Sequence, residues 1–398
     1  MGLLALVVSY FSMTFWVANI AETEIKKILS ESQSAEFSVE LIRYERNFFT
    51  ATVITEINFL KDKKSIIPLK ITTIINHYPH QAVLNNYIEI TDQVMAKKTE
   101  SYFGTAQWIT STETINLFSQ LTGKLRIVAG QYENESEAIT SEAFALDYKI
   151  DLKDNHANFN VDWPGLNAIT YGTIIKLDSL QFNSYMGELS SQNDYDYQLK
   201  IKTIEVEQND SLSLIEGVIL KGNSQQGATP QTFDTTNELM ISTYQLKNEA
   251  VQTFTDSHLK LTVTGLYQPA FELLDTQSND NQQAISALVE LVNHGARLRL
   301  SQLNSQTPWG EVDGTLDLVL DKGSPLMEII ANPYILFDYM SGNANLVLPL
   351  SLLNEPLVEK QLRMGLMSGF LEKKEQTLNL QTSFQLGELT VNGQVIPL

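Results

Sequence analysis

The sequence has no cysteine in its 398 residues. This absence excludes disulfides, zinc–thiolate sites and cysteine nucleophiles. Basic residues are also scarce, because 27 lysines and arginines stand against 47 acidic residues, giving a formal net charge of −20. That balance argues against nucleic acid as a partner, since phosphates require many basic side chains, and against docking on an anionic lipid surface. A chain of this length can still fold outside the cytoplasm on its hydrophobic core alone.

Charged side chains are missing from the first part of the chain, where Glu22 is the first one. Residues 2–20 would form a helix about 28 Å long, close to the thickness of the hydrocarbon core of a bilayer. A membrane anchor, a removed export signal and a buried core helix would all begin in this way. The missing polar face weighs against a core helix. The missing basic start and the poor cleavage positions near Ala18 and Ala21 favour an anchor over a signal.

The sequence therefore predicts a transmembrane anchor at 1–21 and a helical linker at 22–36, where helix-forming residues continue. The positive-inside rule has too few basic residues to fix the orientation, so we take the simpler arrangement with a cytoplasmic N-terminus. This predicts a single-pass protein of the bacterial inner membrane with its body in the periplasm.

Beyond the linker, polar and apolar residues alternate with a period of two, as in "FSVELIRYE" and "TATVITEINF". Valine, isoleucine, threonine and aromatic residues fill these runs, and Gly, Asn, Asp and Pro separate them, which is typical of strands and turns. We predict a mainly β (α+β) fold with an extended antiparallel sheet and a few packed amphipathic helices. The polar stretch "KGNSQQGATPQTFDTTN" suggests a soft boundary between an N-terminal half, 37–222, and a C-terminal half, 238–398.

Apolar residues at helical spacing occur in a few segments. The segment 280–295 ends at Gly295, a good C-terminal cap. The segments 84–98 and 113–121 are ambiguous and are interpreted as short helices.

A further helix is predicted within 354–370. Asn354 would be its N-cap and Pro356 stands near its start. Met364 and Met367 are interpreted as flexible filler of the hydrophobic core, because methionine adapts to irregular gaps.

Motifs for catalysis or metal binding are weak. His77 and His80 are separated by Pro79, so they do not have the helical spacing of a zinc pair, and we interpret them as turn residues. The segment 151–162 resembles a calcium loop but has His156 where glycine is required. No nucleophile elbow, phosphate-binding loop or dinucleotide fingerprint is found. The sequence thus predicts no catalytic, cofactor or metal residue, and a protein that is not an enzyme.

Both ends of the chain resemble a known family. The stretch "SVELIRYERNFFTATVITEI" and the closing "FQLGELTVNGQVIPL" are similar to the YdgA-like bacterial family, domain of unknown function 945. The resemblance implies an inner-membrane-anchored protein with a periplasmic body, present as a dimer, and it supplies no catalytic residue. The matching positions are Tyr44, Glu45, Arg46, Phe49 and Thr50 near the start and Gly387, Leu389, Asn392, Gly393 and Pro397 near the end.

These motif residues are predicted to be structural. Asn392 and Gly393 are the strongest short signal for a hairpin, because both tolerate the positive φ of a type I′ turn. Glu45 and Arg46 are neighbours on a strand, so they point to opposite faces. One of them is expected to meet a partner across the sheet or at the incoming helix.

Two functions follow as hypotheses. The first is a non-catalytic, membrane-tethered protein that acts through protein–protein contacts with other envelope proteins or, through exposed sheet edges, as a homodimer. The second is binding or transport of a lipid or another hydrophobic ligand in a sheet-lined groove, to which "NANLVLPLSLL" (343–353) would contribute. The alternative for that run is a buried central strand.

Overall fold

The computed structural model describes residues 2–31, 37–61, 64–187, 194–209, 211–248, 250–270, 290, 294–323, 328, 338–385 and 387–396. These residues form 22 strands and few helices, and the strand pairs are antiparallel. The prediction of a mainly β fold is confirmed. The chain divides into two compact units, residues 1–190 and 191–398.

Unit 1 starts with the helix α1 (Gly2–Glu31) and contains a second helix, α2 (Gln93–Phe103). Strands β1 to β6 pair in chain order, β6 pairs with β9, and β9 with β10. Strand β10 also pairs with β11 and, at its end, with β8, which pairs with β7. The strands are β1 (Phe37–Arg46), β2 (Thr50–Lys61), β3 (Lys64–His77), β4 (Gln81–Ile90), β5 (Ile109–Asn116), β6 (Gln120–Ile127), β7 (Gly130–Glu133), β8 (Glu137–Ser141), β9 (Phe144–Asp151), β10 (His156–Thr170) and β11 (Thr173–Met186).

Unit 2 is a second antiparallel meander, in which β12 to β18 pair in chain order. Strand β18 pairs with β20, whose other edge takes β19 and β21, and β22 pairs with β21. The elements are β12 (Tyr195–Gln208), β13 (Ser211–Gln226), β14 (Thr232–Lys247), β15 (Val251–Tyr267), β16 (Ala296–Thr307), β17 (Gly310–Leu320), β18 (Met340–Pro349), a 3-10 helix (Leu350–Asn354), α3 (Glu359–Met367), β19 (Glu372–Lys374), β20 (Thr377–Gln385), β21 (Glu388–Val391) and β22 (Gln394–Ile396).

The polar stretch taken as a soft boundary lies inside unit 2. It contains the end of β13, a turn and the start of β14, and these two strands pair from Leu212 opposite Lys247 to Gln226 opposite Phe233. Paired strands of one hairpin belong to one compact unit, so the division of the structure falls earlier, after residue 190. Turn-forming residues mark hairpins as well as linkers.

The core of unit 1 lies between its sheet and the second half of α1. Side chains of α1 at helical spacing are at most 1% exposed, and they contact buried residues of β2 to β6. The facing side chains are small, which allows helix and sheet to approach closely. The buried helix residues are Thr14, Val17, Ala18 and Ala21, and the sheet contributes Ala51, Val53, Ile75, Ala82 and Leu84.

The segment predicted as an anchor, 1–21, thus includes a part that is packed on protein. Threonine and alanine at positions 14, 18 and 21 do not contrast with their neighbours in polarity, so the packed stripe is not visible as an amphipathic pattern. In the part of the chain that the structure describes, no helix combines the length and the apolar character needed to cross a membrane.

The helix predicted at 84–98 exists only from Gln93 onward, and the helix predicted at 113–121 is wrong. Residues 84–90 continue β4, and 113–121 form the end of β5, a turn and the start of β6. The helix in this region, α2, starts after Asp92, whose carboxylate accepts the backbone N–H of Met95 at 2.8 Å. A clear N-cap therefore fixes the start of the helix nine residues later than predicted. Most of the segment 280–295 lies outside the described residues.

The helix predicted within 354–370 exists but is shorter. Asn354 ends the 3-10 helix instead of capping an α-helix, and α3 begins at Glu359. Met364 and Met367 are 61% and 89% exposed, so the prediction that they fill the core is wrong.

Candidate functional site

Arg46, the last residue of β1, fastens α1 to the sheet of unit 1. Its Nη1 donates to Asn19 Oδ1 at 2.7 Å and to Glu22 Oε2 at 2.9 Å. The guanidinium also lies 5.1 Å from the ring centroid of Phe15. Hydrogen bonds from Lys26 and then from Arg46 lower the pKa of Glu22. The ion pair is partly shielded, because the side chains of Arg46 and Glu22 are 20% and 27% exposed.

Glu45 points away from this contact. It forms an ion pair with Arg43 on the outer face of β1, where both side chains are more than half exposed. The prediction that Glu45 and Arg46 face opposite sides is confirmed, and Arg46 meets the side of α1 instead of capping one of its ends.

Two buried polar atoms under α1 have no hydrogen-bond partner among the described residues: the hydroxyl of Tyr44 and Nε2 of His77. His77 is 2% exposed, and its Nδ1 lies 3.3 Å from the carbonyl oxygen of Phe48, which it can donate to. Burial lowers the pKa of His77, and burial raises the pKa of Tyr44 to about 12. Both side chains are therefore held in their neutral forms.

The turn between β1 and β2 supports the helix from the side. The rings of Phe48 and Phe49 lie 5.5 and 5.9 Å from that of Phe11. The backbone N–H of Asn47 closes the turn by donating to the carbonyl of Thr50 at 2.7 Å. We call Tyr44, Arg46, His77 and this phenylalanine turn the α1 seat.

A large apolar surface extends from the α1 seat along the first half of α1. Its side chains are 36–59% exposed, and none of them is charged. We call it the α1 apolar surface, and it consists of Val7, Val8, Tyr10, Phe11, Met13, Phe15, Trp16, Phe48 and Phe49.

A buried carboxylate lies in the same sheet. Glu113 of β5 is 7% exposed and accepts hydrogen bonds from Ser111, from Asn86 and, at 3.0 Å, from the hydroxyl of Tyr148. Thr73 donates to Asn86 at 2.6 Å and completes the network. Burial and the Glu113 charge raise the pKa of Tyr148, which stays a donor. Three donors of the sheet itself, Ser111, Asn86 and Tyr148, thus satisfy the carboxylate.

Gly123 makes this network possible. Tyr148 stands opposite Gly123, which stands opposite Glu113, so the tyrosine must cross β6 to reach the carboxylate. A Cβ at residue 123 would lie 2.1 Å from Cζ of Tyr148. Sequence reasoning missed the network, although a glycine inside a strand is a known signal of such a close approach.

The C-terminal motif holds the chain that follows α3. Asn392 and Gly393 have φ of 48° and 81° and join β21 to β22, which confirms the predicted hairpin. Asn392 Oδ1 accepts the N–H of Gln381 at 2.8 Å, and its Nδ2 donates to the carbonyls of Gly369 at 3.2 Å and Phe370 at 3.1 Å.

The other C-terminal motif positions surround this hairpin. Gly387, with φ of 76°, precedes β21, and Leu389 lies within that strand. Pro397 lies outside the described residues.

Among the described residues, neither the histidines nor the loop at 151–162 belongs to a group of side chains that could bind a metal ion. Among the described residues, no three histidine, aspartate or glutamate side chains are grouped to hold a metal ion. In the calcium-like loop, Asp151 Oδ1 accepts the backbone N–H of Lys153 at 3.1 Å and of Asp154 at 3.3 Å, so this oxygen serves the turn itself.

A comparison with models of known protein families tests the resemblance seen at the two ends of the chain. The family model described as a bacterial protein of unknown function (DUF945) matches residues 1–398. The chain belongs to this family. Neither a curated protein nor a solved structure matches the chain. The two family motifs can therefore be interpreted only from geometry: the first forms most of the α1 seat, and the second holds the segment after α3.

Proposed function

We propose that this DUF945 protein is a non-catalytic, membrane-anchored envelope protein, in which the apolar end of α1 enters the inner membrane and the folded body lies in the periplasm. The observation that supports the proposal is the α1 apolar surface. Exposed apolar patches of this kind on soluble monomers are uncommon, and they mark membrane or protein contacts. An aromatic and aliphatic helix end without charges fits lipid better than protein, whose interfaces have polar rims.

The depth of insertion follows from the packing of α1. Gly2–Met13, the turns before the packed half, rise about 18 Å along the helix axis, more than half of a hydrocarbon core. Trp16 and Phe15, at 59% and 52% exposed, stand where the helix meets the sheet, which suits the interface between lipid and water. The α1 seat then fixes the direction of the inserted helix relative to the sheet of unit 1.

The buried carboxylate of Glu113 supports a structural role for the folded body. Glu113 is surrounded by its own donors and is 7% exposed, so it has no free position for a substrate. We propose that the protein acts through protein contacts and as a homodimer.

Charge introduced into the α1 apolar surface tests the anchoring. In the variant Val7→Asp/Val8→Asp, we expect the protein to move from the membrane pellet to the soluble fraction, because each carboxylate would have to enter lipid. The matched control is Val251→Asp in unit 2, where the valine is 56% exposed, and it should stay in the pellet. A pelleted double variant that a carbonate wash does not release would contradict the anchor.

The cysteine-free chain allows a clean test of the periplasmic side. A single cysteine placed at Tyr171, 82% exposed, should react with a membrane-impermeant maleimide in cells with an opened outer membrane. Reaction only after lysis of the inner membrane would place the body in the cytoplasm.

The second candidate function, binding of a hydrophobic ligand, is favoured by one face of unit 2. Half-buried leucines face each other across β16, β17, β18 and β20. The run 343–353 contributes β18, a strand paired on both sides. Mass spectrometry of lipids extracted from the purified protein checks this candidate, and a protein free of stoichiometric lipid would remove it. The facing pairs are Leu298–Leu318, Leu300–Leu316 and Leu346–Leu380.

A further inference from the structure

We propose that a cleft of unit 2, beside the turn between β16 and β17, binds a short saccharide. The cleft has a volume of about 520 Å³, which lies within the usual range of small-ligand sites. A tryptophan ring, apolar side chains of β18 and polar side chains line it. We call it the Trp309 cleft, and its main lining residues are Trp309, Glu311, Asp313, Val347, Pro349 and Gln376.

The turn holds Trp309 in a fixed position. Its backbone N–H donates to Thr307 Oγ1 at 3.2 Å, and its carbonyl accepts the hydroxyl of Ser351. The indole ring meets the ring of Phe254 edge-to-face, with the centroids 5.9 Å apart. The flat ring is therefore in place before a ligand arrives, and binding would cost little ordering of the protein.

Strand β18 forms the apolar floor of the cleft. Val347 lies opposite Asp313 of β17, and Pro349 lies opposite Thr377 of β20. Gly310 lets the turn approach this floor, because a Cβ there would lie 2.9 Å from Cβ of Pro349. An apolar lining with a few polar groups at its rim is the usual arrangement of a small-ligand site.

The polar groups at the rim have no partner within the described part of the chain. Glu311 and Asp313 lie two residues apart on one face of β17, and both side chains are exposed. Neither carboxylate forms a hydrogen bond or an ion pair there, and the same holds for the amide of Gln376 and the indole N–H of Trp309. Carboxylates accept hydrogen bonds, whereas the indole and the amide also donate them. The cleft thus offers both kinds of hydrogen bond.

This combination fits a saccharide better than a charged ligand. A sugar ring has an apolar CH face that packs on an indole, and hydroxyl groups at its edge that donate and accept. A protonated amine only donates, so it would leave both donors of the cleft unused. Its attraction to exposed carboxylates would also be weak, because water and salt screen it. The same carboxylates would repel an anionic ligand.

Isothermal titration calorimetry of the full-length protein, in a detergent without a sugar head group, tests the cleft. The probes are neutral oligosaccharides: chitotetraose, cellotetraose and maltotetraose. We expect at least one of them to bind with a dissociation constant of about 1 mM or lower. In Trp309→Leu, which removes the ring, this constant should rise about 10-fold or more, and Trp309→Tyr should keep most of the affinity. The matched control is Trp108→Leu in unit 1, where the indole stacks on Phe103, and it should bind like the wild type.

A second variant changes the polar rim with little effect on packing. Glu311→Gln/Asp313→Asn keeps the shape of both side chains and should weaken binding about 10-fold, because charged acceptors become neutral ones. Its control is Glu133→Gln/Glu135→Gln, which changes exposed carboxylates of unit 1 and should leave binding unchanged.

The possible results separate the alternatives, and none of them depends on the proposed membrane anchor. No binding of any of the oligosaccharides at about 10 mM would overturn the proposal. Binding that neither cleft variant weakens would place the saccharide elsewhere and would also overturn it. Binding of cadaverine, a diamine, without binding of any oligosaccharide would assign the cleft to cations instead.

Discussion

In both units a tyrosine reaches across a glycine of the neighbouring strand to a hydrogen-bond acceptor on the next strand, but the two acceptors differ in charge. In unit 1, Tyr148 crosses a strand at Gly123 and donates to the buried carboxylate of Glu113 at 3.0 Å. In unit 2, Tyr197 crosses a strand at Gly222 and donates to the neutral amide oxygen of Asn237 at 3.0 Å. A Cβ at residue 222 would lie 2.3 Å from Cε1 of Tyr197, just as a Cβ at residue 123 would lie 2.1 Å from Cζ of Tyr148. In both places only glycine leaves room for the ring.

The contacts that hold α1 and the segment after α3 differ in the same way. Arg46 holds α1 through a partly shielded ion pair with Glu22. Asn392 holds the segment after α3 through neutral hydrogen bonds to backbone carbonyls.

In these two comparisons, the contacts of unit 1 use charges partly removed from water, and their counterparts in unit 2 use neutral groups. Removing one partner from a shielded charge is more costly than removing a neutral hydrogen bond, because the remaining charge stays poorly solvated. We therefore expect a substitution in either of these unit 1 contacts to have a larger effect than one in its counterpart in unit 2.

The largest effect is expected for Arg46→Ala. It removes both hydrogen bonds to α1 and the contact with the Phe15 ring, and it leaves Glu22 paired with Lys26 alone, which should lower the free energy of unfolding by about 2–3 kcal/mol. The control is Arg43→Ala on the outer face of the same strand, where an exposed pair contributes about 0.5 kcal/mol or less. Urea unfolding followed by tryptophan fluorescence measures both. Equal effects of the two variants would contradict the role of Arg46.

The next effect compares the two tyrosines directly. Tyr148→Phe should cost about 2 kcal/mol, since a hydrogen bond to a charged group is lost, and Tyr197→Phe about 1 kcal/mol, since its acceptor is neutral. Phenylalanine keeps the ring over the glycine, so packing changes little in either variant. Thermal unfolding of both purified variants gives the two values, and a larger cost for Tyr197→Phe would break the comparison.

A smaller effect is expected for Asn392→Gly. Glycine keeps the positive φ of the turn but loses the hydrogen bonds to Gln381, Gly369 and Phe370, which should cost about 1–2 kcal/mol. Hydrogen exchange should become faster in α3 and remain unchanged in α1. Asn392→Ala adds the strain of positive φ, so it should cost about 1 kcal/mol more. Unchanged exchange in α3 would show that the hairpin does not hold this helix.

The sequence predicts most of the strands and the closing turn, but it does not predict which helix faces are packed on the sheets. Strands follow from local alternation, and the type I′ turn follows from Asn392 and Gly393 alone, so both could be predicted. The packing of α1 could not, because it depends on Val17 and Ala21 of the helix meeting buried side chains of the sheet that are distant along the chain. The exposure of Met364 and Met367 could not be predicted either, since an apolar face on a helix looks the same whether or not another element covers it.

The smallest effect concerns pH and should appear in α1 and β3 of unit 1. Burial lowers the pKa of His77 below its ordinary value of 6.5, so the unfolded chain binds a proton more readily than the folded one. The stabilising contribution of the neutral histidine is therefore complete above pH 6.5 and decreases as the pH falls through this value toward the lower pKa of the folded state. Arg46 next to the site disfavours a second positive charge, whereas Glu22 favours it and acts in the opposite direction.

Hydrogen exchange of α1 and β3 at about pH 7.5 and about pH 5.5, corrected for intrinsic rates, measures this decrease. In the wild type, protection should be lower at the acidic pH, and in His77→Phe this difference should shrink, because phenylalanine fills the space without binding a proton. Glu22 does not confuse the measurement, since its own lowered pKa makes it lose its contribution only below its ordinary value of 4.5. The strands of unit 2 other than β14 and β15, where His258 contacts Glu238 at 2.7 Å, provide the internal reference. If the variant kept the full difference, a group other than His77 would be responsible.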